Sequence, residues 1–242
     1  ILDKIIEWID FYTFSENVEF ENVSENMEVF SLIGPSSQVI IQKIIDVSNI
    51  NTNTGSSISA NLGKKHLILN FDRIGGILKI DLILDEANCE QLVKLTDEQN
   101  IYEVTSNIYN LFRIENRSPV HGSELIDKYN PLEANLLGNI SFNKGCYVGQ
   151  EVVARLNAYD KVRMQLVFLY IDKNCNPEKD MAIISDTDQV GLLTSFEFSS
   201  IADKWVALAY IKKSKCLPQS EFYVVEEDVK FKCEIGDFGL TD

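Results

Sequence analysis

The chain has 242 residues, of which 45% are hydrophobic and 24% are charged, a composition typical of a soluble globular protein with one large domain or two modest ones. Its net charge of -15 argues against a nucleic-acid backbone or an anionic membrane as the partner, although a local basic pocket for a small anion remains compatible with it. The longest apolar runs fall far short of the ~20 residues that a membrane span needs. Because the chain begins at Ile1 and not at Met, we interpret it as a fragment.

Cysteine and histidine usage argues against a metal centre. The cysteines are odd in number and include no C-x-x-C pair, which is typical of a reducing compartment and speaks against a zinc or cysteine-ligated cluster site. His66 and His121 have no cysteine or carboxylate at ligand spacing, so we predict that neither is catalytic. The five cysteines are Cys89, Cys146, Cys175, Cys216 and Cys233.

The first part of the chain alternates helix and strand patterns. Apolar residues of 1–13 recur at helical spacing, and Leu78, Ile80, Leu82 and Leu84 alternate with polar residues as in a half-buried strand. In chain order we predict helix 1–13, strands 18–23 and 27–33, a helix after Gly34-Pro35-Ser36, a loop over the Asn- and Ser-rich residues 46–61, and strands 66–70 and 77–84.

The middle of the chain is predicted to be mainly helical. One helix runs from Asp85 to about Leu95, and Thr96 with Gln99 resembles a capping box for a second helix over 97–113. A third helix is predicted over 147–156, where apolar residues are separated by good helix formers. Strand pairs backed by helices indicate the α+β class, with antiparallel sheets.

After residue 160 the pattern becomes all-β. Short strand-like runs separated by turn residues are typical of a small barrel. We therefore predict an α+β domain over 1–158, incomplete at its N-terminus, and a C-terminal β-barrel domain over 159–242. The predicted barrel strands are 163–172, 181–185, 189–198, 204–211, 221–225 and 228–235.

One short segment, Phe142–Glu151, concentrates the chemistry. Cys146 would precede or begin the predicted helix 147–156, where free backbone N–H groups favour an anion, and Lys144 lies two residues away. Both effects would favour a reactive thiolate, while Gly145 and Gly149 allow sharp turns and close approach. By spacing alone, a buried structural cysteine is an equally good interpretation.

This segment resembles the signature of the YgfZ family, folate-binding proteins related to the T-protein (aminomethyltransferase) of the glycine cleavage system. The resemblance implies a T-protein-like α+β folate-binding body followed by a C-terminal barrel, and a tetrahydrofolate (or one-carbon derivative) cofactor. It also implies a role with iron–sulfur client or assembly proteins. The matching residues are Lys144, Gly145, Cys146, Tyr147, Gly149, Gln150 and Glu151.

A second segment extends the resemblance. Arg113-Ile114-Glu115, followed by Pro119 and Gly122, is similar to a segment shared by YgfZ-like proteins and T-proteins, in which the Glu accepts hydrogen bonds from the folate pterin. A carboxylate suits that task because its two oxygens can accept adjacent N–H donors together. Arg117 departs from the family, which usually has Gly there. Further similar segments are 131–136, Gly191-x-x-Thr194-Ser195 and 207–211.

The resemblance assigns roles to these residues. Cys146 is the reactive thiol, with Lys144 either its charge partner or a solvated lysine. Glu115 is the pterin acceptor or an exposed carboxylate at a helix end, and Arg113 braces a neighbouring carboxylate more readily than it binds ligand. Tyr147 either stacks on a ligand ring or packs in the core. Gly145, Gly149, Gln150 and Glu151 support the segment.

The resemblance therefore implies a tetrahydrofolate-binding protein that supports assembly or repair of iron–sulfur clusters in client enzymes. The alternatives are a folate-dependent aminomethyltransferase or demethylase of the T-protein type, and a folate-binding module without chemistry. We expect no nucleic-acid or membrane partner. The expected compartment is the cytoplasm, and a mitochondrial matrix would suit the thiols equally well.

Overall fold

The computed structural model describes residues 2–45, 47, 51–159, 161–217 and 220–236. It divides into two compact units, residues 1–103 and 104–242, which we describe separately. Both units contain antiparallel sheets and helices, and the second contains a closed barrel, so the predicted α+β class is confirmed.

The first unit is built on a four-stranded antiparallel sheet with strand order β1-β4-β3-β2. Alternate residues of the two central strands are buried, and these residues pack against two helices that cover one face of the sheet. The elements are β1 (Met27–Ile33), α2 (Ser37–Ile44), β2 (Ser56–Leu62), β3 (Lys65–Ile74), β4 (Ile77–Asp85) and α3 (Glu86–Glu98). The first helix, α1 (Leu2–Tyr12), is present as predicted and buries none of its residues.

Two predictions about the strands of this unit are wrong. Residues 18–23 form no strand, because none of the strands in the described part of the chain pairs with them. The predicted loop over 46–61 contains most of β2. Its serines mislead the prediction because Ser57 and Ser59 lie on the exposed face, while Ala60 and Leu62 are buried against the helices.

The predicted capping box at Thr96 and Gln99 is also wrong. Helix α3 continues to Glu98, and the Thr96 hydroxyl donates to the carbonyl of Val93 within its last turn. The next helix, α4 (Ser106–Glu115), begins only after a non-helical stretch. That stretch contains Asn100 in the left-handed conformation (φ 55°), which ends the helical path.

The second unit contains a closed six-stranded antiparallel barrel with strand order β10-β5-β8-β7-β6-β9. All six predicted strands are confirmed, each within one residue at both ends. The strands are β5 (Met164–Ile171), β6 (Ala182–Ser185), β7 (Asp188–Ser199), β8 (Lys204–Lys212), β9 (Phe222–Glu226) and β10 (Val229–Ile235).

Strands β5 and β8 are buried on both faces. Val167, Leu169 and Ile171 point into the barrel core, whereas Leu166 and Phe168 pack outside it against Ile114 of α4 and Ala134. Burial on both sides explains why these strands are continuous apolar runs without the usual polar alternation.

The compact units and the predicted domains divide the chain at different places. The barrel begins at Met164, close to the predicted boundary at 158/159, but α4, the connecting segment and α5 (Gln150–Ala158) belong to the same compact unit as the barrel. The domain boundary at 158/159 therefore stays a prediction.

Candidate functional site

The Cys146 segment is a surface segment ahead of α5. Residues 142–149 are exposed except for Tyr147, which is half-buried. Helix α5 begins at Gln150, three residues later than predicted, and its N-cap is Gly149 in the left-handed conformation (φ 85°). Cys146 thus precedes the helix, as one of the two predicted placements has it, but by four residues, and it does not begin the helix. No side chain caps the start of α5, and Gln150 and Glu151 lie in its first turn.

Lys144 and Tyr147 contact each other within this segment. The Lys144 ammonium lies 4.8 Å from the centroid of the Tyr147 ring, a cation–π geometry. Among the described contacts, Lys144 makes no hydrogen bond to Cys146, so its role as the charge partner stays a prediction. The Tyr147 hydroxyl is buried and has no hydrogen-bond partner among the described residues. A buried hydroxyl without a partner is costly, which makes it a candidate contact for a ligand.

Cys146 is the one exposed cysteine of the five, all of which lie in the described residues. Burial raises the pKa of the other four thiols, to about 11 for Cys175 and about 12 for Cys233. Because the thiolate is the nucleophile, these four are unsuited to chemistry near neutral pH. Of the five thiols, the exposed Cys146 is therefore the candidate for chemistry.

Glu115 ends α4 next to the last residue of β7. The Ser199 hydroxyl donates a long hydrogen bond of 3.4 Å to its carboxylate. Burial raises the pKa of the Glu115 carboxyl, and the Ser199 hydrogen bond opposes that shift only in part. The pKa of the Tyr170 hydroxyl is raised mainly by burial of that hydroxyl and, to a smaller extent, by the charge of Glu115. Glu115 is thus a partly desolvated carboxylate whose acceptor capacity is largely unused by the described residues.

Arg113 faces the protein interior. Its guanidinium is 3.3 Å from the Glu124 carboxylate and donates to the Ser195 hydroxyl (2.8 Å) and the Ser118 carbonyl (3.3 Å). Glu124 is fully buried and also accepts from the Thr194 and Ser195 hydroxyls, at 2.7 and 2.6 Å. Arg113 therefore braces a carboxylate, which leaves Glu115 and Tyr147 as the ligand candidates.

The sequence reasoning missed Glu124 and Ser199. Glu124 lies in an irregular segment, where an acidic residue is normally solvated, and only the fold surrounds it with hydroxyls. The one sequence feature that pointed to this region was the Thr194-Ser195 pair, which lies in a segment similar to T-proteins. That similarity did not indicate what the two hydroxyls bind. Nothing in the sequence pairs Ser199 with Glu115.

Arg117 keeps a backbone conformation suited to the glycine usual in the YgfZ-like pattern. Its φ of 53° lies in the left-handed region, which costs a non-glycine residue roughly 1–2 kcal/mol. Its side chain offsets part of this cost by donating to the carbonyl of Gly236 at 2.7 Å. The departure at Arg117 thus leaves the turn after Glu115 in place.

The described residues contain neither a candidate metal site nor a membrane-spanning helix. Within this part of the chain, no group of three or more His, Cys, Asp or Glu side chains is placed to hold a metal ion. The described helices also include none that is long and apolar enough to cross a membrane.

Comparisons with known proteins point to one superfamily. Residues 164–241 match the glycine cleavage T-protein C-terminal barrel domain. A chloroplast protein of Arabidopsis thaliana named "Putative transferase" is 29% identical over 220 residues, which is 87% of this chain and 48% of that protein. An aminomethyltransferase of Thermotoga neapolitana is 25% identical over 225 residues, covering 89% of this chain and 59% of that protein.

A solved structure shows the same fold. The glycine cleavage system aminomethyltransferase T from Bartonella henselae superposes with a TM-score of 0.61 at 13% identity, over 89% of this chain and 84% of that one. The chain spans 48% and 59% of the length of the two curated relatives named above. The predicted T-protein-like fold with a C-terminal barrel is confirmed. The matches support membership of the glycine cleavage T-protein superfamily without separating the YgfZ family from the aminomethyltransferases.

Proposed function

We propose that the chain is part of a YgfZ-like tetrahydrofolate-binding protein that supports assembly or repair of iron–sulfur clusters in client enzymes. The observation that carries this proposal is the thiol of Cys146, the one cysteine of the five that is exposed, within the segment that resembles the YgfZ signature. The relatives named aminomethyltransferase support a folate ligand, because the T-proteins that this chain resembles bind folate.

The residues of the second unit fit a folate ligand. Glu115 is partly desolvated, and among the described residues only Ser199 donates a hydrogen bond to its carboxylate, so its oxygens have capacity to accept N–H donors of a pterin. The buried Tyr147 hydroxyl offers a further polar contact. Bound tetrahydrofolate would supply a carrier for one-carbon units. In this proposal Glu115 orients the pterin, and the Cys146 thiol is the group that meets a sulfur or cluster substrate.

Calorimetric titration with tetrahydrofolate tests the ligand part of the proposal. We expect Glu115→Ala to weaken binding by more than tenfold, about 1.4 kcal/mol. Glu221→Ala is the matched control, since Glu221 is an exposed carboxylate on the barrel that pairs with Lys232. Binding that is unchanged in Glu115→Ala would remove Glu115 from the site, and no binding by the unmodified protein would reduce the resemblance to a shared fold.

A complementation assay tests the thiol part, in cells that lack this protein and whose iron–sulfur enzymes are therefore inactive. We expect Cys146→Ser to fail in this assay and Cys216→Ser, which changes a partly buried thiol, to succeed. Full rescue by Cys146→Ser would reject the thiol-dependent role. Failure of both variants would point to a folding defect, which thermal unfolding of the two proteins would detect.

A second candidate is a folate-dependent aminomethyltransferase or demethylase, which the name of the Thermotoga neapolitana relative favours. This second function predicts folate-dependent release of ammonia from an aminomethylated carrier protein. The rate of release should be the same in the Cys146→Ser variant. The YgfZ-like proposal predicts no such release. We propose a cytoplasmic location, because exposed Cys146 and the absence of C-x-x-C pairs suit a reducing compartment.

A further inference from the structure

A groove rich in cations lies at one end of the barrel, and we call it the basic groove. Its charged lining residues are Arg155 of α5, Lys161 and Arg163 of the connection to β5, and Lys212 at the end of β8. Leu156 and Met164 contribute apolar walls. The groove encloses about 830 Å³, within the roughly 300–1,000 Å³ typical of ligand sites.

These four cations are exposed, and none forms an ion pair with a carboxylate of the described residues. This sets them apart from three other barrel lysines, which pair with acidic neighbours in a chain of net charge -15. Those pairs are Lys173–Asp203, Lys204–Glu234 and Lys232–Glu221. Like charges held together without counter-charges repel one another, so an anionic ligand would stabilise the groove.

The sequence concentrates the same charge locally. Between Arg155 and Arg163 there are three cations and one acidic residue, Asp160, which lies outside the described residues. The described residues that line the basic groove include no carboxylate. Charges more than about 8 Å away are largely screened at physiological ionic strength, so the local cations outweigh the overall negative charge for a ligand in the groove.

A second cavity of about 430 Å³ extends the basic groove along the barrel. The two share Arg163, Met164 and Lys212, and the second adds Lys128. Its one described carboxylate, Glu133, is buried and accepts hydrogen bonds from the backbone of Met164 (3.1 Å) and Asn130 (3.2 Å). Together the two cavities bring five cations to one continuous surface.

The basic groove is separate from Glu115. Met164 pairs with Lys212 at one end of the β5–β8 ladder, and Ile171 pairs with Trp205 at the other. Ser199, the hydrogen-bond partner of Glu115, pairs with Lys204 at that second end. Seven steps along a strand at about 3.3 Å each separate the two ends by roughly 23 Å. The groove therefore needs a ligand of its own.

We propose that the basic groove binds an acidic peptide segment of a partner protein, in which carboxylates alternate with apolar side chains. Exposed ion pairs contribute only about 0–1 kcal/mol each, so a compact anion that touches one or two cations would bind weakly. An extended segment can contact all the cations of both cavities and also cover Leu156 and Met164. A nucleic acid, a much larger polyanion, would meet the repulsion of the remaining negative surface.

Fluorescence anisotropy tests this proposal with a labelled peptide in which Glu alternates with Leu. We expect saturable binding by the unmodified protein, at least tenfold weaker binding by Arg155→Ala/Arg163→Ala, and near-normal binding by Arg155→Lys/Arg163→Lys, which keeps the charge. The matched control, Lys173→Ala/Lys204→Ala, removes two exposed cations elsewhere on the barrel and should change the affinity less than twofold. Thermal unfolding of each variant checks that the barrel is intact.

Three results would overturn the proposal. The first is the absence of peptide binding at concentrations up to roughly 1 mM, a dissociation constant that corresponds to a binding free energy of about -4 kcal/mol. The second is equal loss of binding in the two Ala double variants, which would indicate non-specific attraction. The third is binding of inorganic tripolyphosphate, but not of the peptide, which would assign the basic groove to small phosphate ligands. None of these results depends on whether the protein binds folate.

Discussion

The guanidinium of Arg113 and the carboxylate of Glu124 form a buried ion pair, with Nη1 and Oε2 3.3 Å apart and side-chain exposures of 7% and 0%. The pair joins α4 to the irregular segment that follows it. The Thr194 and Ser195 hydroxyls of β7 and the backbone N–H of Val120 also donate hydrogen bonds to the Glu124 carboxylate. These contacts fix the last turn of α4, and with it Glu115, against the barrel.

Removing one partner of this pair should be strongly destabilising. Arg113→Met leaves the Glu124 charge buried without its counter-ion, which typically costs about 3–5 kcal/mol. Urea unfolding measures this change. The double variant Arg113→Met/Glu124→Gln removes both charges, so we expect it to be more stable than Arg113→Met alone. A double variant no more stable than the single one would show that packing, and not the charge pair, holds α4 in place.

The turn after Glu115 gives a second prediction. Arg117→Ala loses the hydrogen bond to Gly236 and keeps the left-handed backbone, whereas Arg117→Gly loses the same hydrogen bond and relieves the strain. We expect the Gly variant to unfold with a free energy about 1 kcal/mol higher than the Ala variant. Thermal unfolding of the two proteins in parallel measures the difference. An Ala variant that is the more stable would mean that the positive φ at this position carries no strain.

The barrel was predictable from the sequence because each of its strands has a clear end. Short apolar runs bounded by turn residues leave little choice of boundaries, and β5 and β8 are apolar throughout because both their faces are buried. The helix boundaries were less predictable. Thr96 resembles a cap, yet packing continues α3 past it, and only the backbone at Asn100 ends the helical path.

The candidate site was predictable in its residues but not in its contacts. The resemblance identified Cys146 and Glu115, but the exposure of Cys146 and the pairing of Lys144 with the Tyr147 ring depend on a segment that has no regular periodicity. Likewise, residues 70 positions apart in the sequence meet at Glu124 and Thr194. A pattern that repeats every two to four residues carries no information about such contacts.

Thiol labelling should single out Cys146. Iodoacetamide reacts with thiolates. Desolvation raises the pKa of the other four thiols, and Cys175 and Cys233 are also shielded in the barrel core. We expect mass spectrometry of the folded protein near pH 8 to find Cys146 alkylated first. In guanidinium chloride all five should react at similar rates. Equal labelling of Cys175 or Cys233 in the folded protein would contradict the buried barrel core described above.

The pH dependence of stability should reveal the desolvation of Glu115. Burial raises the pKa of this carboxyl above its unfolded value of about 4.3, so the folded state binds more protons than the unfolded state in the window between the two values. Its contribution to stability is therefore full below that window and is lost as the pH rises through the folded-state pKa.

Glu115→Gln removes the charge and tests this sign. The variant should be more stable than the unmodified protein at pH 7, and the gain should disappear below pH ~4. Urea unfolding at both values measures it, with Glu221→Gln as the exposed control that shows little change. A carboxylate kept at a cost in stability is expected where ligand binding uses it. A Gln variant that is less stable at pH 7 would show that Glu115 serves the fold.

The last prediction concerns Gly191 in β7, the first residue of the Gly191-x-x-Thr194-Ser195 motif. A Cβ added there would collide with the carbonyl oxygen of Tyr210 and lie 3.0 Å from Cγ1 of Ile211, on the neighbouring strand β8. A clash with backbone is not relieved by a change of side-chain rotamer, so β7 and β8 would have to separate near the hydroxyls that hold Glu124. Overpacking of this kind typically costs about 1–3 kcal/mol.

We therefore expect Gly191→Ala to lower the free energy of unfolding by about that amount, measured by urea titration. Gly138→Ala is the matched control, because a Cβ at Gly138 meets no atom within 4 Å and the backbone there is not left-handed. If both variants were equally stable, the β7–β8 ladder would have room to adjust. The barrel would then have no steric requirement for glycine at position 191. The structural role of the motif would be limited to the Thr194 and Ser195 hydroxyls that bind Glu124.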